Sequence, residues 1–217
     1  GKVSRVTAAG VVTILFDDGD TRAGVAWTAC TARATGTVRI HEAIRRKDLR
    51  AVKKCIESGR DVNVKGPDGN YPLASAAHDG LAEIVDTLLV AGAEVNKQAA
   101  TGATALHYAS FRGHAACVRL LCARGADVKI RDPRRRTPLH VAAAFGSAAA
   151  CAGLIEAGAD VGAVDDQDLT PPEVAESRGK TDVAEFLRQF DTTRSEGPPR
   201  SIKTEAAATD GVSTALR

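Results

Sequence analysis

Methionine is absent from this chain, and aromatic side chains make up only 4% of its 217 residues. So few rings argue against a deep aromatic pocket and against a surface that stacks nucleic-acid bases. No run of about 18 apolar residues occurs, so no membrane span is legible. No charged-then-apolar leader opens the chain, and no signal peptide is read there. A chain that starts at Gly1 without methionine is expected to be part of something longer, with targeting signals out of view. Charge of one sign is lacking as well: 29 basic residues face 27 acidic ones, a formal net charge of +2. That balance gives no general attraction to nucleic acid, which is not an expected partner. At 44% apolar and 26% charged residues, the composition is that of a soluble globular chain able to build a sizeable core.

Catalytic signatures are missing too. There is no nucleophile elbow, P-loop, kinase signature, His-Glu-x-x-His or clustered carboxylate pair. The reading is therefore a non-enzyme, with neither cofactor nor metal. Five cysteines are present without a C-x-x-C pair; the spacing of His114, Cys117 and Cys122 only superficially resembles a metal-ligand set.

What the chain does have is repetition. Gly59, Gly92, Gly125 and Gly158 recur every 33 residues, as do Gly80, Gly113, Gly146 and Gly179, the leucines Leu73, Leu106 and Leu139, and His107 with His140. A period in this range marks stacked two-helix units. Thr137-Pro138 and Thr170-Pro171 read as a capping hydroxyl followed by a ring preset for the first helical turn. About two turns later the glycines at 80, 113, 146 and 179 end that helix, because glycine takes positive φ without steric cost. A second helix follows, with apolar residues at i, i+1, i+4 and i+5: Ile84, Val85, Leu88 and Leu89 in one unit, Cys117, Val118, Leu121 and Cys122 in the next. Cys55 and Cys151 fall in the same stripe, which makes the cysteines small core hydrophobes. Reduced core thiols point to a reducing compartment, cytoplasmic or nuclear. One unit cannot bury such a stripe alone, so stability is expected from stacking.

Thr137-Pro138-Leu139-His140-Val141-Ala142 before Gly146, and Thr104-Ala105-Leu106-His107-Tyr108-Ala109 before Gly113, resemble the T-P-L-H-x-A signature of ankyrin repeats. On the family's period, units fall at 33–65, 66–98, 99–131, 132–164 and a shortened 165–190, roughly seven-tenths of the chain. The fold expected is mainly α: an ankyrin-like solenoid of about five helix-turn-helix units. The resemblance implies that His107 and His140 hydrogen-bond between adjacent turns. It also implies a protein-interaction scaffold whose partner touches the turn tips and the outward face of the first helices. In this chain those positions include Pro67, Asp68, Asn70, His78, Asp79, Thr101, Ala103, Phe111, Arg112, Arg134, Arg136, Ala144 and Phe145. They are also where the repeats differ from one another.

The two ends are different. Residues 1–25 read as a short β-meander of three strands, Val3–Val6, Val11–Phe16 and Thr21–Val25, with an Asp17-Asp18-Gly19-Asp20 turn. This segment resembles the middle of Tudor-like or SH3-like barrels. A methyl-lysine reader of that kind needs an aromatic cage, and only Phe16 and Trp27 are at hand, so the reading is a truncated structural module. Residues 26–32 would link it to the stack, with Ala34-Thr35-Gly36-Thr37 as the first unit's turn. Residues 191–217, poor in large apolar side chains, are expected to be a disordered tail.

Charge is ordered along the array. Residues 99–136 carry eight basic side chains against two acidic ones, a net of 8 − 2 = +6, whereas residues 137–190 carry three against nine, a net of 3 − 9 = −6. Phe111 and Phe145 beside Arg112, Arg134 and Arg136 suggest a binding site for a protein that offers an acidic segment with an apolar anchor. The regulatory or targeting portion of a larger enzyme is an alternative, as is a chromatin or nucleic-acid binding role.

Overall fold

The computed structural model describes residues 3–6, 12–14 and 36–190. Strands β1 (Val3–Val6) and β2 (Val12–Ile14) pair antiparallel, Val3 opposite Ile14 and Val6 opposite Val12, with an irregularity between Val3 and Arg5. The expected third strand, the linker at 26–32 and the tail at 191–217 lie outside the described residues.

Among the described residues, ten helices follow as five pairs: α1 (Gly36–Arg45) with α2 (Leu49–Glu57), α3 (Pro72–His78) with α4 (Ala82–Val90), α5 (Ala105–Arg112) with α6 (Ala115–Ala123), α7 (Pro138–Ala144) with α8 (Ala148–Glu156), and α9 (Pro171–Ser177) with α10 (Thr181–Arg188). From the second pair onward the first helices begin at residues 72, 105, 138 and 171, which keeps the 33-residue interval. Each first helix packs on the next first helix and each second helix on the next second helix, forming two layers.

The first unit departs from its expected turn. Gly36 and Thr37 are the opening residues of α1 rather than a hairpin tip. The register explains this: the capping position filled by Thr104, Thr137 and Thr170 holds Val38 here, and the proline position holds Arg39, so nothing stops the helix from extending backwards.

Stacking closes the core through repeated rows. Leu88, Leu121, Leu154 and Leu187 are fully enclosed, as are Val52, Val85, Val118 and Cys151 one turn earlier. Each buried leucine contributes roughly 1.5–3 kcal/mol relative to exposure. Cys55 and Cys117 are also buried and Cys122 is half-buried; these four cysteines are free. Burial pushes the Cys151 thiol up to about 12 and raises those of Cys117 and Cys122, so these three are not poised as nucleophiles.

From the second pair onward a glycine with positive φ follows each first helix, and at Gly80 the missing side chain also makes room for a neighbour. Gly80 has φ of 72°, and a Cβ there would lie 2.7 Å from the His114 ring, which reaches across from the next unit and bonds the His78 carbonyl at 3.1 Å. Between units, hairpins stack tip upon tip: the Ala100 amide donates to the Gly69 carbonyl at 3.2 Å, and the Asp166 amide to that of Arg134 at 3.1 Å.

Candidate functional site

The buried histidines belong to the framework. Thr104 caps α5 by accepting the His107 amide, and the Thr104 amide donates to His107 Nδ1 at 3.3 Å. With Nδ1 an acceptor, Nε2 carries the proton and donates to the Arg136 carbonyl of the next hairpin at 3.1 Å. Thr137, His140 and the Leu169 carbonyl repeat the arrangement. Burial lowers both imidazole pKa values, favouring the neutral form that these bonds require. His41 occupies the same repeat position and bonds the Val64 carbonyl at 3.2 Å. Glu173 occupies it in the last unit, accepting from the Thr170 amide and hydroxyl at 2.9 and 2.8 Å. The sequence reading missed these two, although counting 33 residues back from His107 and forward from His140 finds His41, an intervening Ala74, and Glu173.

The variable positions divide into two groups set at opposite ends of the first helices. At the hairpin end, Asn70 accepts a hydrogen bond from the Tyr108 hydroxyl at 2.9 Å, and Thr101 meets the same hydroxyl at 2.8 Å. Asp68 is exposed here and bonds the Asn70 amide nitrogens; burial pushes its carboxyl up, but those bonds outweigh this and hold it below the usual carboxylate value. Arg134 is exposed at the fourth unit's tip. Arg136 is instead spent on structure: its Nε and Nη2 bond Asp132 at 2.9 and 2.7 Å, and its carbonyl serves His107.

At the other end lies a band of rings. Phe111 and Phe145, from neighbouring units, meet edge to face with centroids 4.4 Å apart. His78 lies 6.3 Å from Phe111 in a near-parallel arrangement and 6.0 Å from Tyr108 edge-on. Phe111 is 39% exposed and Phe145 48%; Asp79 and Arg112, both exposed, hold the repeat position of Phe145 in the two preceding units. His78 Nδ1 bonds Asp79 at 2.8 Å. The structure thus joins His78, Asp79, Phe111, Arg112 and Phe145, but not Phe145 with Arg134 or Arg136. Phe145 is the C-cap of α7 and the arginines precede its N-cap, about 10 Å away along seven residues. Ala144, expected at the surface, is buried, because α7 is enclosed at all seven positions between α5 and α9. Tyr108, which the sequence reading did not place in the site, links the two ends.

A profile for ankyrin repeats in three copies matches residues 40–132, and a single ankyrin-repeat profile matches residues 134–166. The chain belongs to the ankyrin-repeat family. Ankyrin repeats are generally protein–protein interaction modules, typically without catalysis. The α9–α10 pair continues the ankyrin period beyond the matched residues. No curated protein matches the chain. Among the described residues, no helix is long and apolar enough to cross a membrane, and no group of three or more His, Cys, Asp or Glu side chains could hold a metal.

Proposed function

We propose that this ankyrin stack is a scaffold that binds a partner protein at the far end of its first helices, with Phe111 and Phe145 as the anchor and Arg112 as the counter-charge. The observation that carries this reading is the edge-to-face Phe111–Phe145 pair, contributed by two units and left about two-fifths to one-half exposed. Edge-to-face rings at this distance attract one another, yet a large part of each still faces water, and covering that area is what a partner's apolar side chain would gain. Arg112 adjoins the pair with no ion pair among the described residues, and suits a carboxylate on the same segment. The tip residues Asn70 and Thr101 orient Tyr108 and so support the band from the hairpin side. Arg134 belongs to the exposed tip and would act on encounter rather than in the anchor. The free core thiols accord with a reducing, cytoplasmic or nuclear setting.

The test is affinity capture by the whole chain against Phe111→Ala/Phe145→Ala. Loss of captured proteins at an unchanged melting temperature is the expected result. Retention of every partner by the double variant would place the binding face elsewhere.

A further inference from the structure

Beside the ring band, over the first three helix pairs, the surface sinks into a groove of about 390 Å³. Its walls include Ile44, Asp68, Ser75, His78, Asp79 and Tyr108. The hollow exists because Ser75 is the short member of a row whose neighbours 33 residues away are Glu42 and Tyr108. We propose that this groove receives a lysine or arginine side chain from the extended segment of a protein partner, an inference that rests on the first-helix face being the binding face.

Charge makes the first part of the argument. Asp68 and Asp79 both line the groove, and the arginine among the lining residues, Arg45, shares the Glu42 carboxylate with Arg46, at 2.5 and 2.7 Å. His41, also in the wall, spends its Nε2 on the Val64 carbonyl. Asp68, Asp79 and Glu42 outnumber Arg45 and Arg46 by 3 − 2 = 1 charge; Asp79 also meets His78 Nδ1 at 2.8 Å, whereas Asp68 has no ion pair among the described residues, and against the push of burial the bonds from Asn70 hold it below the usual carboxylate value. Shape and apolar lining make the second part. The exposed Pro67 and the half-buried Tyr108 ring offer a surface for an aliphatic stem, as lysine and arginine require when only their heads remain polar. Tyr108 is fixed by two hydrogen bonds through its hydroxyl and by the edge of His78, so an aromatic ring stands preset beside the carboxylates. A ring of this kind attracts an organic cation and adds nothing for a strongly hydrated metal ion. The groove adjoins Phe111 through His78, so a single extended segment could place its cation here and its apolar residue on the Phe111–Phe145 pair.

The experiment is a nuclear magnetic resonance titration of the whole chain with two probes, acetyl-Gly-Ser-Arg-Ser-Gly-amide and its Glu-centred counterpart. The arginine peptide is expected to shift resonances of Asp68, Asp79 and Tyr108, and the glutamate peptide to leave them in place. Asp68→Asn/Asp79→Asn should weaken the arginine peptide on the order of fivefold, most of it from the one carboxylate that the guanidinium meets, since the two stand at opposite ends of α3, with the melting temperature unchanged. Shifts that avoid the groove, or affinity unaltered by the double variant, would overturn the proposal. The probes carry no apolar anchor, so this result is independent of Phe111 and Phe145. Failure here together with partner loss in Phe111→Ala/Phe145→Ala would remove the groove alone, whereas retention of partners by that variant would remove the binding face.

Discussion

Arg135 and Asp168 adopt φ of 56° and 57° at hairpin tips where the two preceding units place Gly69 and Gly102 at 76° and 75°. A side chain in this region costs on the order of 1 kcal/mol, so both tips store strain that glycine would release. Arg135→Gly should raise the melting temperature by a few degrees, measured by circular dichroism; no change or a decrease would mean the tip is relaxed. The turn is held well enough to tolerate the strain, since the Arg135 amide donates to Asp132 and the Asp132 carboxylate gathers the amides of Arg134 and Arg136. His107 and His140 supply a pH dependence. Their folded pKa values lie below the ordinary value of about 6.5, so above that pH both folded and unfolded forms are neutral and stability is complete. As pH falls below about 6.5, the unfolded chain takes up protons that the folded chain refuses, and stability is lost down to the folded pKa. Melting temperature should therefore fall between pH 7 and pH 5, and less steeply in His140→Gln; a flat profile would contradict neutral buried imidazoles.

Among the elements, the junction between the second and third pairs lacks the bridge that its neighbours share. Tyr71 caps α3 without a side-chain hydrogen bond, and Ala74 stands where His41, His107, His140 and Glu173 make theirs. The Tyr108–Asn70 bond and the His114–His78 contact take over part of that role. Tyr71→Thr/Ala74→His should restore the bridge and stabilise the stack by about 1 kcal/mol in urea unfolding, the usual gain from a cap. A variant no more stable than the parent would show that the substitutes already suffice. The interior of the array was legible in sequence because caps, glycines and apolar stripes all recur on one period. The start of α1 was not, since Val38 and Arg39 replace the punctuation that would have marked it. The Lys47 turn, with φ of 57° in place of glycine, was overlooked for the same reason.

Over the whole molecule, the sequence order of charge survives but its focus does not. The +6 stretch is divided between Arg112 at the end of α5, Arg119 on α6, Arg124 at its C-cap, and Lys129 with the arginines of the following hairpin. Arg124 pairs with Asp86, Arg136 with Asp132, and Arg131 donates to the Val164 carbonyl. What remains is a stack-long gradient that can orient an approaching partner; in the proposed reading, specificity falls to the ring band and the groove. Phe111 and Phe145 were legible as large apolar residues at variable positions, but their separation from the Arg134–Arg136 tip was not, because neighbours in sequence sit at opposite ends of α7. The most direct measurement is site-specific photo-crosslinking with a benzophenone amino acid introduced at position 111, 145 or 119 in turn. Adducts of one common partner from positions 111 and 145, and none from position 119 on the second-helix side, are the predicted result. Adducts from position 119 with none from 111 and 145 would contradict a binding face built on the first helices.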